Sequence, residues 1–152
     1  MVHQLRQYLA VLIILPLLLV NVGCSNSDAV KVGNALHDVG IAVGGLQTAV
    51  NNARISTPQL ISDTNALTIL TICDKINQGG LQASALTRQY STLPAGSKPQ
   101  LAAIVTPILT AINNAIASGL ISISDANTKA NIMAILQSIK TSLLIVQTIV
   151  GV

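Results

Sequence analysis

Apolar positions recur at helical spacing along most of the chain. Val32, Leu36, Val39, Val43, Leu46, Val50 and Ala53 lie alternately four and three residues apart. That rhythm puts them on one face of a helix, with Asn, Gln, Lys, Ser and Thr turned to water. Leu101, Val105, Ile108, Ile112 and Ala115 repeat the rhythm, and Ile132, Leu136, Ile139, Leu143, Val146 and Val150 carry it to the end. The pattern predicts four helices, over roughly 28–54, 62–78, 98–118 and 124–150.

The stripes repeat as a set. Thr48-Ala49-Val50-Asn51-Asn52-Ala53 aligns with Thr110-Ala111-Ile112-Asn113-Asn114-Ala115 at an offset of 62. The same offset pairs Ser56 with Ser118, and Ile61-Ser62-Asp63 with Ile123-Ser124-Asp125. Ten of the eighteen positions from 48 to 65 are identical without a gap, more than a biased composition gives by chance. Further on, Ile69, Ile72 and Ile76 match Ile132, Ile135 and Ile139 at an offset of 63, so one residue has slipped. The expected fold is all-α: an up-down four-helix bundle of two tandem hairpins, 28–78 and 98–150, joined by a connector at 79–97.

Punctuation fits that division. Ser62 and Ser124 are placed to cap the second helix of each pair, with Asp63 and Asp125 facing the positive dipole end. Gly79-Gly80 reads as the end of the first hairpin, with room for a short helix at 81–90, and Gly119 as a C-terminal stop. Pro99 suits a first turn, whereas Pro107 is expected to kink or open the third helix. Gly33, Gly40 and Gly44 cost a helix roughly 1 kcal/mol each against Ala, which points to a tight helix crossing. The Asn51-Asn52 and Asn113-Asn114 pairs read as helix-end residues able to take capping or left-handed conformations.

Composition narrows the class. Hydrophobic residues make up 51% of 152 positions and charged ones only 9%, the reverse of a disordered chain. The length allows one domain with one core. That core must be aliphatic, since there is no Phe or Trp and only two Tyr.

The N-terminus speaks to compartment. Arg6 precedes a twelve-residue apolar run, Leu9 to Val20, too short for a permanent membrane span and right for a secretory signal over 1–23. Asn21-Val22-Gly23-Cys24-Ser25 follows. It resembles the lipobox of the bacterial lipoprotein class, with Val22 and Gly23 matching and Asn21 standing where an aliphatic residue is preferred. The resemblance covers about 24 residues. It implies a diacylglyceryl thioether on Cys24 as the lipid attachment, cleavage just before it, and a polar tether at 24–27. Ser25 in place of aspartate implies outer-membrane sorting, facing the periplasm, in a Gram-negative host. Simple secretion is the alternative localisation.

Candidate chemistry is sparse. His37 and Asp38 are adjacent, hence about 100° apart around a helix, and cannot serve one site. Cys73 sits in an apolar run and reads as a buried inert thiol; only an unmodified Cys24 could pair with it. No metal-ligand spacing, nucleophile elbow or phosphate loop occurs, so no catalytic, cofactor or metal site is expected. After residue 23 the basic residues Lys31, Arg54, Lys75, Arg88, Lys98, Lys129 and Lys140 are scattered, and against five aspartates they leave only +2. With Tyr90 as the single aromatic there, nucleic acid is not an expected partner.

The expected function is a non-enzymatic, lipid-anchored cell-envelope protein, a binding or structural module whose partners are the membrane and an envelope protein or apolar ligand. Two alternatives stand beside it. A holin-like or pore-forming protein draws on the hydropathy of 101–123 and 132–152, against which Asn113-Asn114, Gln137, Lys140 and Gln147 intervene. A secreted carrier would hold an apolar ligand between the hairpins.

Overall fold

The computed structural model describes residues 27–88, 93, 96–117 and 123–151. They form four helices: α1 (Asp28–Ile55), α2 (Asp63–Thr87), α3 (Ser97–Ala117) and α4 (Ala126–Val150). Each helix packs on two others. α1 touches α2 and α4, α3 touches α2 and α4, and no contact runs across either diagonal, so the helices stand at the corners of a square. The most extensive seam joins α1 to α4, the first helix to the last.

Two contacts mark the ends of the bundle. At one end Lys98 at the start of α3 reaches Asp28 at the start of α1, at 3.9 Å. At the other, Ile61 and Ile123 form an isolated antiparallel bridge between the α1–α2 and α3–α4 turns. Consecutive helices therefore run in opposite directions.

The stripes face inward. Val32, Val39, Leu46 and Val50 of α1, Leu101 and Ile112 of α3, and Ile132, Leu136 and Ile139 of α4 are buried in one continuous aliphatic core. Ile61 and Ile123 seal its turn end.

Capping sets where the helices begin. Ser27 caps α1, its hydroxyl accepting from the Val30 N–H at 3.4 Å. Ser62 caps α2 by accepting from the Asn65 N–H. In α4 the cap is Asp125, not Ser124: its carboxylate accepts from the Thr128 N–H at 2.7 Å. A charged acceptor one residue further on matches the positive helix end better than the serine hydroxyl. Ser62 follows Ile61 directly, whereas Ser124 stands between Ile123 and the cap. α4 ends at Gly151, left-handed at φ 82°, whose N–H returns to the Gln147 carbonyl. Gly119 lies outside the described residues.

Three other expectations change. α2 does not stop at Gly79-Gly80 but runs on to Thr87, absorbing the short helix expected at 81–90, so the first hairpin is longer and the connector shorter. Packing outweighs propensity here: Ile76, Gly79, Ala83 and Thr87 continue the buried face. Gly79 lies against α3, where a Cβ would come within 2.5 Å of Ile108 Cδ1 and 3.1 Å of Ile104 Cγ2. Conversely, a Cβ at Gly33, Gly40 or Gly44 would meet nothing within 4 Å, so these glycines make no tight crossing. The only close glycine approach among the described residues is at Gly79. α3 passes through Pro107 without interruption. The carbonyl that loses its donor belongs to Ala103, an exposed residue open to water.

Two tests follow from this packing. Ile112→Ala and Ile139→Ala, both at positions with no exposed surface, should each cost about 2–5 kcal/mol in urea unfolding. Gln137→Ala, exposed on α4, should stay within about 0.5 kcal/mol. Gly80→Ala, with open space at its Cβ, should stabilise by about 0.5–1 kcal/mol. Gly79→Val, forced against Ile104 and Ile108, should destabilise by about 1–3 kcal/mol. Equal responses at the two glycines would refute the close α2–α3 approach.

Candidate functional site

Among the described residues two depressions stand out, one near each end of the bundle. The larger is a groove between α1 and α2, of about 640 Å³. Leu36, Val39 and Gly40 form its α1 wall, and Ile76, Gly80 and Leu81 face them from α2. Glycine makes the groove: the Cβ positions of both Gly40 and Gly80 open onto empty space. Leu81 is three-quarters exposed at its rim. Arg88, one residue beyond the end of α2, lines the mouth nearest the start of α1. Its volume falls within the range of roughly 300–1,000 Å³ typical of ligand clefts.

The smaller cleft, about 320 Å³, lies at the turn end and is lined by Gln59, Leu60, Ser62, Asn65 and Ser124 with the bridge residue Ile61. The turn beneath it is held by its own hydrogen bonds. The Leu60 N–H donates to the Ala53 carbonyl at 3.0 Å, and the Ser56 hydroxyl bonds the carbonyls of Ala53 and Pro58. The Thr57–Pro58 peptide bond is cis. Arg54 Nε bonds Asp63 Oδ1 at 2.7 Å across the turn. Both side chains are largely exposed, so the pair adds at most about 1 kcal/mol. Neither of these two depressions lies in the buried core, where the carrier alternative would hold an apolar ligand.

The sequence candidates are dispersed. Cys24 lies outside the described residues; the described chain begins with Ser27 as the α1 cap. His37 and Asp38 are both exposed on α1. Asn51, Asn52, Asn113 and Asn114 are exposed, in helical rather than left-handed conformation, within the last turns of α1 and α3. Among the described residues no three His, Cys, Asp or Glu side chains gather closely enough to hold a metal ion. The α1–α2 groove was not foreseen. Its signal was present in glycines on both helices, but without the pairing of α1 and α2 they could not be placed opposite each other.

Cys73 is fully buried on α2. Desolvation, with the neighbouring Asp74 charge adding to it, pushes its thiol up to about 11. Asp125 shifts the other way: hydrogen bonds from Thr128 hold its carboxyl below the usual range.

Comparison with protein-family models, with curated proteins and with solved structures gave no match to this chain.

The Cys73 environment gives a pH prediction. Its thiol is raised from 9.0 to about 11 by folding. The stabilisation is therefore complete below pH 9 and is lost as pH rises toward 11. At pH 8 a thiol reagent should label Cys73 only at the rate of unfolding. Cys73→Ala should flatten the alkaline fall of the melting temperature. Rapid native labelling at pH 8 would contradict the burial.

Proposed function

We propose that this chain is an exported, non-enzymatic envelope protein, held to a membrane by lipid on Cys24, whose helical bundle serves as a binding or structural module. The observation that carries the reading is the distance between signal and fold. Only Ser25 and Asn26 separate Val22-Gly23-Cys24 from Ser27, the cap of α1, so the cap stands three residues behind the attachment cysteine. A signal over 1–23 and a tether over 24–27 then leave the whole of 28–152 to the folded module. The outer membrane, on its periplasmic face, is the destination that Ser25 favours.

We infer further that the bundle is a duplicated hairpin. At the offset of 62, Ala35, Val39, Val43, Leu46, Val50 and Ala53 of α1 correspond to Ser97, Leu101, Val105, Ile108, Ile112 and Ala115 of α3, and all twelve are buried. At the offset of 63, Ile69, Cys73, Ile76, Gly79, Ala83 and Thr87 of α2 correspond to Ile132, Leu136, Ile139, Ser142, Val146 and Val150 of α4, again all buried. Ile61 and Ile123, themselves partners at 62, bridge each other as residues related by a local two-fold would.

A pore-forming role is the second reading, because α3 and α4 are each long and apolar enough to cross a membrane. Against it, their apolar stripes are spent on the shared core, where Leu101, Ile112, Ile132 and Ile139 have no exposed surface. Intact mass of the protein from native membranes decides between them. The expected species lacks residues 1–23 and carries acyl mass, and Cys24→Ser should lose that mass and leave the membrane fraction. A wild-type protein without acyl mass would end the lipoprotein reading. Retention of Cys24→Ser in the membrane, soluble only in detergent, would favour the pore.

A further inference from the structure

We propose that the groove between α1 and α2 holds one acyl chain of an anionic phospholipid from the membrane to which the bundle is tethered, with Arg88 taking the phosphate. The placement of this site at the membrane rests on the lipid-anchor reading; the groove and its chemistry do not.

The charge distribution selects the end. Lys31, Arg88 and Lys98 lie near the starts of α1 and α3 and the end of α2, with Asp28 as their single acidic counterpart there. At the turn end Arg54 and Lys129 balance Asp63 and Asp125, and between the ends Lys75 and Lys140 balance Asp38 and Asp74. The entire side-chain excess of +2 after residue 23 thus sits at the end from which the tether leaves. Asp28 is shared between Lys31 at 4.0 Å and Lys98 at 3.9 Å. Arg88 has no ion-pair partner among the described residues.

The groove supplies the apolar half of the site. It runs from Arg88 along Leu81, Gly80 and Ile76, facing Leu36, Val39 and Gly40. Glycine inside an exposed helix face weakens the helix, and neither Gly40 nor Gly80 gains a contact from it. What their missing side chains provide is width in a largely apolar channel, which Asn77 and Ser84 also line. A tether of four residues spans at most about 14 Å, which keeps the Arg88 mouth close to the bilayer surface. A guanidinium binds phosphate oxygens through paired hydrogen bonds, and a basic side chain near an anionic bilayer contributes about 1 kcal/mol, or about five-fold in affinity. An acyl chain reaching past a phosphate bound there would enter the groove lengthwise.

Native mass spectrometry of the full protein tests this. Protein extracted from its membranes is exchanged into mixed micelles of phosphatidylglycerol and phosphatidylcholine. The expected wild type carries one non-covalent phospholipid per chain, enriched in phosphatidylglycerol. Gly40→Leu with Gly80→Leu fills the groove with side chains that also favour helix, and should remove the bound lipid while the helical circular dichroism stays unchanged. Arg88→Gln should keep a lipid but lose about five-fold of the preference for phosphatidylglycerol. A lipid-free wild type, equal loading of the filled variant, or a dimer in place of the lipid adduct would overturn the proposal. The denatured mass reads Cys24 acylation separately. An unacylated chain with bound phospholipid refutes the anchor and keeps the groove; an acylated chain with none does the reverse.

Discussion

The seam between α1 and α4 is the constraint on which the rest of the bundle depends. Without it only the lesser α2–α3 seam joins the hairpins, and the apolar stripes of α1 and α4 stay wet. With it, Val32, Val39, Leu46 and Val50 of the first helix meet the stripe of the last, and a single core forms. The turn bridge at Ile61 and Ile123 and the Asp28–Lys98 contact then fall at opposite ends of a closed square. That α1 packs more extensively on α4 than on its own hairpin partner makes neither hairpin complete by itself.

An aliphatic core forces the helices to fit by shape alone. Among the described residues no aromatic ring enters the core to fill a gap, and the α2–α3 seam closes where Gly79 lets Ile104 and Ile108 in. On the adjacent α1–α2 seam the same residue type has the opposite effect, because Gly40 and Gly80 face open space and leave a channel. One kind of residue thus makes both a close contact and an opening. The difference is only whether a neighbouring isoleucine arrives to occupy the room.

This dependence on the neighbour explains what the sequence could and could not tell. The stripes of α1, α3 and α4 were readable because a four-three rhythm of Val, Leu and Ile has one physical meaning, a buried helical face. The end of α2 was misread because Gly79-Gly80 weakens a helix locally, and only α3 shows why the helix continues. The tight crossing assigned to Gly33, Gly40 and Gly44 failed for the same reason: spacing says that a close approach is possible, not that a partner is there. Ser124 and Asp125 are both good caps by type, and the same Ile-Ser-Asp order stands in the first turn, where the serine caps instead, so residue type and order alone could not choose between them. The groove depends on two helices at once, so no single stripe could announce it.

The α1–α4 seam also governs timing. Residues 126–150 are the last part of the bundle to be synthesised, yet α1 needs them to cover its apolar face. A chain emerging N-terminus first therefore has no finished core to fold around until α4 has been made. For a protein that must thread a secretion channel in extended form, as the export reading requires, that delay keeps the nascent chain loose enough to pass. On that reading, closure is deferred to the far side, where α4 arrives and the bundle locks.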